Sequence, residues 1–324
     1  MAGVLITGGA GYIGSCFAWA CRDADVPFAI LDDLTTGHRH APPDAPFVQA
    51  KVSDRNAVEG LVRDHGLDAI VHFAASISVE ESVRDPDKYF RNNVEESAAL
   101  LDTAQALGVN RFVFSSTAAV YGDTGDDPVP ETHPLAPISP YGESKARVEA
   151  MLRDRSQAGG PRYAALRYFN VAGADPKLRT GLRAENATHL FKVCCEAALG
   201  QRDQVAVYGD DYATRDGTCI RDYIHVADLV DAHLQALGYL AGGGQSLILN
   251  CGYGRGYTVR EVLDAFERVL GRPLPAVQAP RRAGDAAQVV ADSTRLRTAL
   301  GWKPRHDDVD AIVRSALDWE KRAR

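Results

Sequence analysis

The first half of the chain alternates short continuous apolar runs with stretches of helical period. Runs suited to buried strands fall at residues 4–7, 28–31, 47–52, 68–73, 111–115 and 164–167. Helical patterns lie between them at 12–22, 55–64, 92–107 and 141–153. Strands that are apolar throughout, rather than at every second position, are buried on both faces, which is the condition of a parallel sheet covered by helices. The pattern therefore predicts an α/β fold with a doubly wound parallel sheet, the Rossmann arrangement.

After residue 169 the rhythm changes. Residues 170–188 are rich in Gly, Asp, Pro and Arg with no period, and read as a long functional loop. Helices are expected near 189–199, 226–239, 259–270 and 309–321, with strands at 205–208 and 246–250. The expected organisation is a cofactor domain over 1–169 and a smaller α/β substrate domain over 170–324, with segments around 220–240 returning to the first.

Chemistry enters at the first strand-to-helix turn. Gly8, Gly11 and Gly14 fit G-x-x-G-x-x-G between a strand and a helix. Gly8 suits a tight turn, Gly11 the approach of a pyrophosphate, and Gly14 the packing of helix on sheet. The helix N-terminus supplies free N–H groups to the diphosphate. The second strand ends in Asp32-Asp33. A carboxylate at Asp32 accepts from both ribose hydroxyls and repels a 2′-phosphate, which favours NAD over NADP.

A second constellation is Tyr141-Gly142-Glu143-Ser144-Lys145. Its phenol and ammonium share one helix face at i and i+4. A neighbouring cation stabilises a phenolate, so Tyr141 becomes a candidate base for a sugar hydroxyl during hydride transfer. The fifth strand ends near Thr117, at the carboxyl edge where such sheets bind ligands.

Composition narrows the class. The 324 residues carry a net charge of −7, which gives no general attraction to nucleic acid or to an anionic membrane. The N-terminus lacks a signal-peptide pattern, and no apolar run is long enough to span a bilayer; a cytoplasmic protein is expected. The six cysteines form no C-x-x-C pair, so neither a metal site nor a redox motif is expected, and the vicinal Cys194 and Cys195 read as buried apolar residues.

Taken together, the motifs resemble those of the extended short-chain dehydrogenase/reductase family, in its UDP-glucose 4-epimerase branch. The resemblance runs nearly end to end. It rests on TGGAGYIGS at 7–15, HFAA at 72–75, NNV at 92–94, FSSTAAVYG at 114–122 and SPYGESK at 139–145. It continues with LRYFNVAGADP at 166–176, DGTCIRDYIHVADL at 216–229 and APRRAGD at 279–285.

The resemblance implies an isomerase of galactose metabolism that inverts C4 of a UDP-sugar through a 4-keto intermediate on tightly bound NAD. It implies that Tyr141 is the base, that Lys145 tunes it and holds the nicotinamide ribose, and that Thr117 is the catalytic hydroxyl. It further implies cofactor contacts from Tyr12, Ile13, Asp33, Lys51, Val52, Phe73, Ala74, Ala75, Asn93 and Phe169. Substrate contacts are implied for Asn170, His189, Leu190, Ala206, Val207, Tyr208, Arg221, Arg282, Asp285 and Val289, with the two arginines clamping the diphosphate. A homodimer built on helices 92–107 and 141–153 is also implied.

Two positions depart from the family pattern. Lys51 stands where many relatives have an Asp that accepts from adenine, and a lysine cannot accept. Ile77 stands where some have a lysine near the diphosphate. Rival readings are weaker. Sugar-nucleotide dehydratases and decarboxylases need acidic groups after the strand-5 hydroxyl, where this chain has Ala118 and Ala119. A non-catalytic NAD-binding regulator would not require the Tyr–Lys pair. Epimerisation of UDP-N-acetylhexosamines or UDP-pentoses remains the alternative activity. His72 and His225 read as scaffold.

Overall fold

A computed structural model describes residues 3–184, 187–282 and 285–323. Its strands are β1 (Gly3–Thr7), β2 (Phe28–Asp32), β3 (Phe47–Gln49), β4 (Leu67–His72), β5 (Arg111–Thr117), β6 (Arg162–Tyr168), β7 (Asn170–Ala172), β8 (Val205–Tyr208), β9 (Ile220–His225), β10 (Leu247–Cys251), β11 (Gly256–Thr258), β12 (Ala276–Ala279) and β13 (Gln288–Val289). The helices are α1 (Tyr12–Asp23), α2 (Arg55–Asp64), α3 (Val79–Arg84), α4 (Pro86–Tyr89), α5 (Glu96–Ala106), α6 (Pro140–Gln157), α7 (Leu190–Ala198), α8 (Val226–Ala241), α9 (Val259–Leu270), α10 (Thr294–Leu300) and α11 (Val309–Arg322).

The main sheet has seven strands in the order β10-β6-β5-β4-β1-β2-β3, and every pairing in it is parallel. The order reverses between β1 and β4, which opens a crevice at their carboxyl ends. Both faces are covered, as the unbroken apolar runs require. On one face Val4, Ile6, Val113 and Leu166 pack with Phe17 of α1 and Leu229 of α8. On the other, Leu5, Phe112 and Phe114 pack with Leu100 of α5 and Val148 of α6.

Three features differ from the sequence expectation. The third strand ends at Gln49, because beyond it the chain leaves the edge of the sheet. The helix expected from 92 begins at Pro86 and passes through a π turn, Phe90–Glu95, before α5. The segment expected as an irregular loop opens with β7, which pairs with β9. β9 also pairs with β11 and β13, and β8 pairs with β12.

Buried histidines brace the layers. His72 lies between Thr7 Oγ1 at 2.7 Å and Ser97 Oγ at 2.9 Å. His225 caps α8 by accepting from the Ala227 N–H and meets Ser315 Oγ at 3.0 Å. Burial pushes both imidazoles down to about 3, from the usual 6.5. Each is therefore neutral in the folded chain and charged in the unfolded chain below pH ~6.5. The unfolded state then binds more protons, so stability present above pH ~6.5 is lost as pH falls towards the folded values, by up to about 1.4 kcal/mol per pH unit for each histidine. Asp222, raised by burial to about 6, opposes this with one proton below that pH. The net expectation is a denaturation midpoint that drops steeply from pH 6.5 to 5; equal midpoints at the two would contradict it.

Candidate active site

The turn after β1 is shaped by two glycines without room for a side chain. Gly8 has φ +73°, and a Cβ there would lie 2.5 Å from the Ala74 nitrogen at the end of β4. A Cβ on Gly14 would meet the Gly8 carbonyl oxygen at 2.1 Å. Close packing of turn, β4 and α1 is thus fixed by these residues. No side chain caps α1, whose N-cap is Gly11, and its first turn carries no acidic residue. Its free N–H groups suit a diphosphate.

At the end of β2, Asp32 accepts from the Ala10 N–H at 2.9 Å through Oδ2 and from the Leu34 N–H at 2.8 Å through Oδ1. Each oxygen keeps a lone pair for a ribose hydroxyl. Asp33 accepts from the Thr35 N–H at 2.9 Å. An uncapped helix beside an oriented carboxylate fits NAD. Phe73 packs against Phe17 and His233, and Ala74 and Ala75 follow it on the rim of the crevice. Val52 is buried. Lys51 is 67% exposed and pairs with Glu96 at 3.3 Å.

The other predicted cofactor residues are fixed by contacts within the chain. Tyr12 donates to the Gly173 carbonyl at 2.6 Å, and Ile13 packs on the core. Asn93 sits on the π turn; its side chain accepts from the Ser76 N–H and donates to the Ser76 carbonyl and to Ser144 Oγ. Both amide hydrogens are used inside the protein, and they brace the first turn of α6.

That turn carries Tyr141. Ser139 caps α6 by accepting from the Gly142 N–H at 3.2 Å, with Pro140 in the first turn. A Cβ on Gly142 would lie 2.4 Å from the Ala119 carbonyl oxygen; glycine lets the helix start press against the end of β5. The Tyr141 phenol and the Thr117 hydroxyl are thereby brought side by side. Burial raises the Tyr141 phenol, and the Thr117 contact lowers it.

Lys145, one turn on, is buried, donates to the Ser115 carbonyl at 2.9 Å and lies 4.9 Å above the Phe114 ring. Burial lowers its ammonium to about 7, while Glu149 acts in the opposite sense. Glu149 is tied to Arg167 at 2.9 and 2.6 Å and accepts from Ser116 at 2.5 Å. The sequence reading missed Glu149, although its signal was present: it extends the Tyr141–Lys145 stripe by another four residues.

The predicted substrate residues converge from the second half. Arg221 on β9 donates to the Ala286 carbonyl at 2.9 Å and meets Asp285 at 3.4 Å. Arg282 lies 3.8 Å over the Tyr208 ring, and Ala206 and Val207 share that strand. Arg221, Asp285 and Arg282 all act electrostatically on Cys219, so they occupy one region; Ala283 and Gly284 of the same motif lie outside the described residues. Val289 is the ladder partner of Arg221 and packs against the cluster holding Ala118 and Phe169. Through Val289, Arg221 thus adjoins the cluster at the end of β5. Asn170 opens β7, and His189 precedes Leu190 at the start of α7.

A dinucleotide crevice, a tyrosine–lysine pair at its edge and a cationic rim define an NAD-dependent enzyme acting on a phosphorylated ligand. The model of the NAD dependent epimerase/dehydratase family matches residues 4–252, and the chain belongs to that family. It is 53% identical over 319 residues to a UDP-glucose 4-epimerase of Azospirillum brasilense, covering 98% of this chain and 92% of the relative. The structure of the UDP-glucose 4-epimerase from Stenotrophomonas maltophila, with bound NAD and formylated UDP-arabinopyranose, superposes with a TM-score of 0.96 at 39% identity, over 100% of this chain and 99% of that one. That of the UDP-Glc/GlcNAc 4-epimerase from Campylobacter jejuni does so with a TM-score of 0.86 at 45% identity, over 99% and 100%.

Among the described residues no cluster of side chains could hold a metal ion, and no helix is long and apolar enough to cross a membrane. All six cysteines are free and buried.

Proposed function

We propose that the protein interconverts UDP-glucose and UDP-galactose by inversion at C4. The observation that supports this reading is that Tyr141 lies beside Thr117 with Lys145 one turn on, while Arg221 pairs with Val289, which packs on the cluster holding Ala118, and that only methyl groups stand at Ala118 and Ala119. Bound NAD would supply the hydride acceptor and, on the return, the donor. Gly8, Gly11, Gly14 and Asp32 would hold it. Tyr141 Oη takes the proton of the C4 hydroxyl, and Thr117 shares the hydrogen bond to that oxygen. The Lys145 ammonium offsets the cost of the buried phenolate. Arg221 and Arg282 hold the diphosphate while the 4-keto sugar turns its other face, and Tyr141 returns the proton.

Purified protein is expected to carry NAD and to convert UDP-galactose to UDP-glucose with no added cofactor. An ultraviolet spectrum before and after the sugar is added checks this. Protein that lacks NAD and is not activated by it would overturn the proposal.

UDP-N-acetylglucosamine is proposed as a second substrate, because the position that the family resemblance puts beside the sugar C2 substituent carries only the modest side chain of Val289. Val289→Tyr is expected to lower turnover of the N-acetylated sugar about ten-fold or more relative to UDP-galactose; equal loss for both sugars would count against it.

The proposed setting is a cytoplasmic homodimer. The free, buried cysteines support a reducing compartment. The inward faces of α5 and α6 are spent on the intrachain core. A dimer would therefore use their outer faces together with Ile77, 71% exposed, and Val83, 62% exposed. Sedimentation of the wild type and of Val83→Lys tests this.

A further inference from the structure

Beneath the carboxyl ends of β5 and β6 runs a chain of polar side chains that takes no part in the chemistry above. His233 of α8 is fully buried, and its Nδ1 lies 2.8 Å from the Leu229 carbonyl oxygen. A carbonyl only accepts, so Nδ1 carries the proton and Nε2 is the acceptor. Tyr168 Oη, 2.5 Å from Nε2, donates to it. The Ser115 side chain acts on the same phenol from the same face of the neighbouring strand, where Ser115 pairs with Leu166 and Thr117 with Tyr168. Ser115 in turn offers its carbonyl to Lys145 Nζ. The protons of Tyr168 and His233 thus both point into α8.

We propose that Ser115, Tyr168 and His233 form a positioning relay that holds the Ser115 peptide against Lys145 and so keeps the ammonium in place for Tyr141. The relay is anchored at a helix rather than at the strand it steadies. A turn of the Ser115 peptide would therefore disturb the packing of its side chain on Tyr168 as well as the ladder to β6. The inference rests on Tyr141 and Lys145 being the reacting pair.

The groups facing Lys145 are Tyr141 and Glu149 on its own helix, His72 on β4, and Ser115 with the Phe114 ring on β5; Tyr168 on β6 and Tyr89 of α4 face Tyr141. Burial holds His233 down at about 4, so it is neutral near pH 7. Removing it changes no charge, and any effect on the pair must travel through geometry.

The test uses the NAD-loaded protein. His233→Phe and Tyr168→Phe are expected to lower kcat for UDP-galactose about ten-fold, the scale of one lost hydrogen bond near a charge, with KM unchanged. Tyr141 phenolate formation, followed by ultraviolet titration against Tyr141→Phe, should move up by about one pH unit. His233→Gln, whose amide oxygen can accept from Tyr168, should restore both. Wild-type kcat and phenolate titration in the Phe variants would overturn the relay, as would a fall in melting temperature alone or a Gln variant no better than Phe. If His233→Phe does not fold, Tyr168→Phe, which loses a single oxygen, carries the same test. A wild-type protein without turnover would count against the proposed function, while the titration would still decide the relay.

Discussion

Tyr141→Phe will lower the rate of C4 inversion by about 10²- to 10⁴-fold, the range by which a positioned acid–base group accelerates proton transfer. The substitution keeps the ring and its edge-on contact with Tyr89 at 6.4 Å and removes only the hydroxyl. Thr117 stands next to that hydroxyl, but an alcohol is a far weaker base at neutral pH than a phenolate. Binding should be nearly unchanged, since the residues proposed for the diphosphate lie on β9 and the segment before β13. The expected kinetic signature is therefore a fall in kcat with little change in KM, measured on protein whose bound NAD is quantified by absorbance. A variant retaining a tenth of the wild-type rate would show that another group moves the proton.

Glu149→Ala is expected to destabilise the fold by about 3–5 kcal/mol, because it strands a buried guanidinium. The side chains of Arg167 and Glu149 are 3% and 4% exposed and meet at 2.6 Å. Arg167 also donates to Tyr121 Oη at 2.8 Å, a contact too weak to replace a carboxylate. Urea denaturation of the variant reads the loss. Replacing both partners by apolar residues of similar volume should recover most of it. The same variant has a second, catalytic consequence. Glu149 favours the charged form of Lys145, so without it a smaller fraction of the ammonium survives at neutral pH. Activity should then decline towards high pH earlier than in the wild type.

The architecture of the first half was legible because burial on both faces leaves a strand no polar positions, and six such runs are hard to mistake. What escaped the reading had no local cause to show. β7, β11 and β13 are two or three residues long, and their pairing partners lie far away in sequence. The π turn at Phe90–Glu95 interrupts the helical period just where the pattern would have been extended back to Pro86.

The same division holds at the site. Gly8, Asp32, Tyr141 and Lys145 are set by spacing along single elements, and could be found by counting. The contact between Arg221 and Asp285 spans 64 residues, and only the family resemblance pointed to both. Tyr168 and His233, 65 residues apart, were indistinguishable from ordinary core residues, and the capacity of Asn93 to brace α6 depends on a neighbour 51 residues away.

The sheet order has a kinematic consequence. β10 comes late in the chain yet closes the edge of the main sheet beside β6. α8 packs against α1 and the sheet, and Val129 is bridged to Ala291. The polypeptide is thus threaded back and forth between the halves, and a hinged opening would strain each of these crossings and the Val129–Ala291 bridge. Such a frame behaves as a stator. In the proposed cycle the moving part is then the sugar itself, pivoting about an anchored tail.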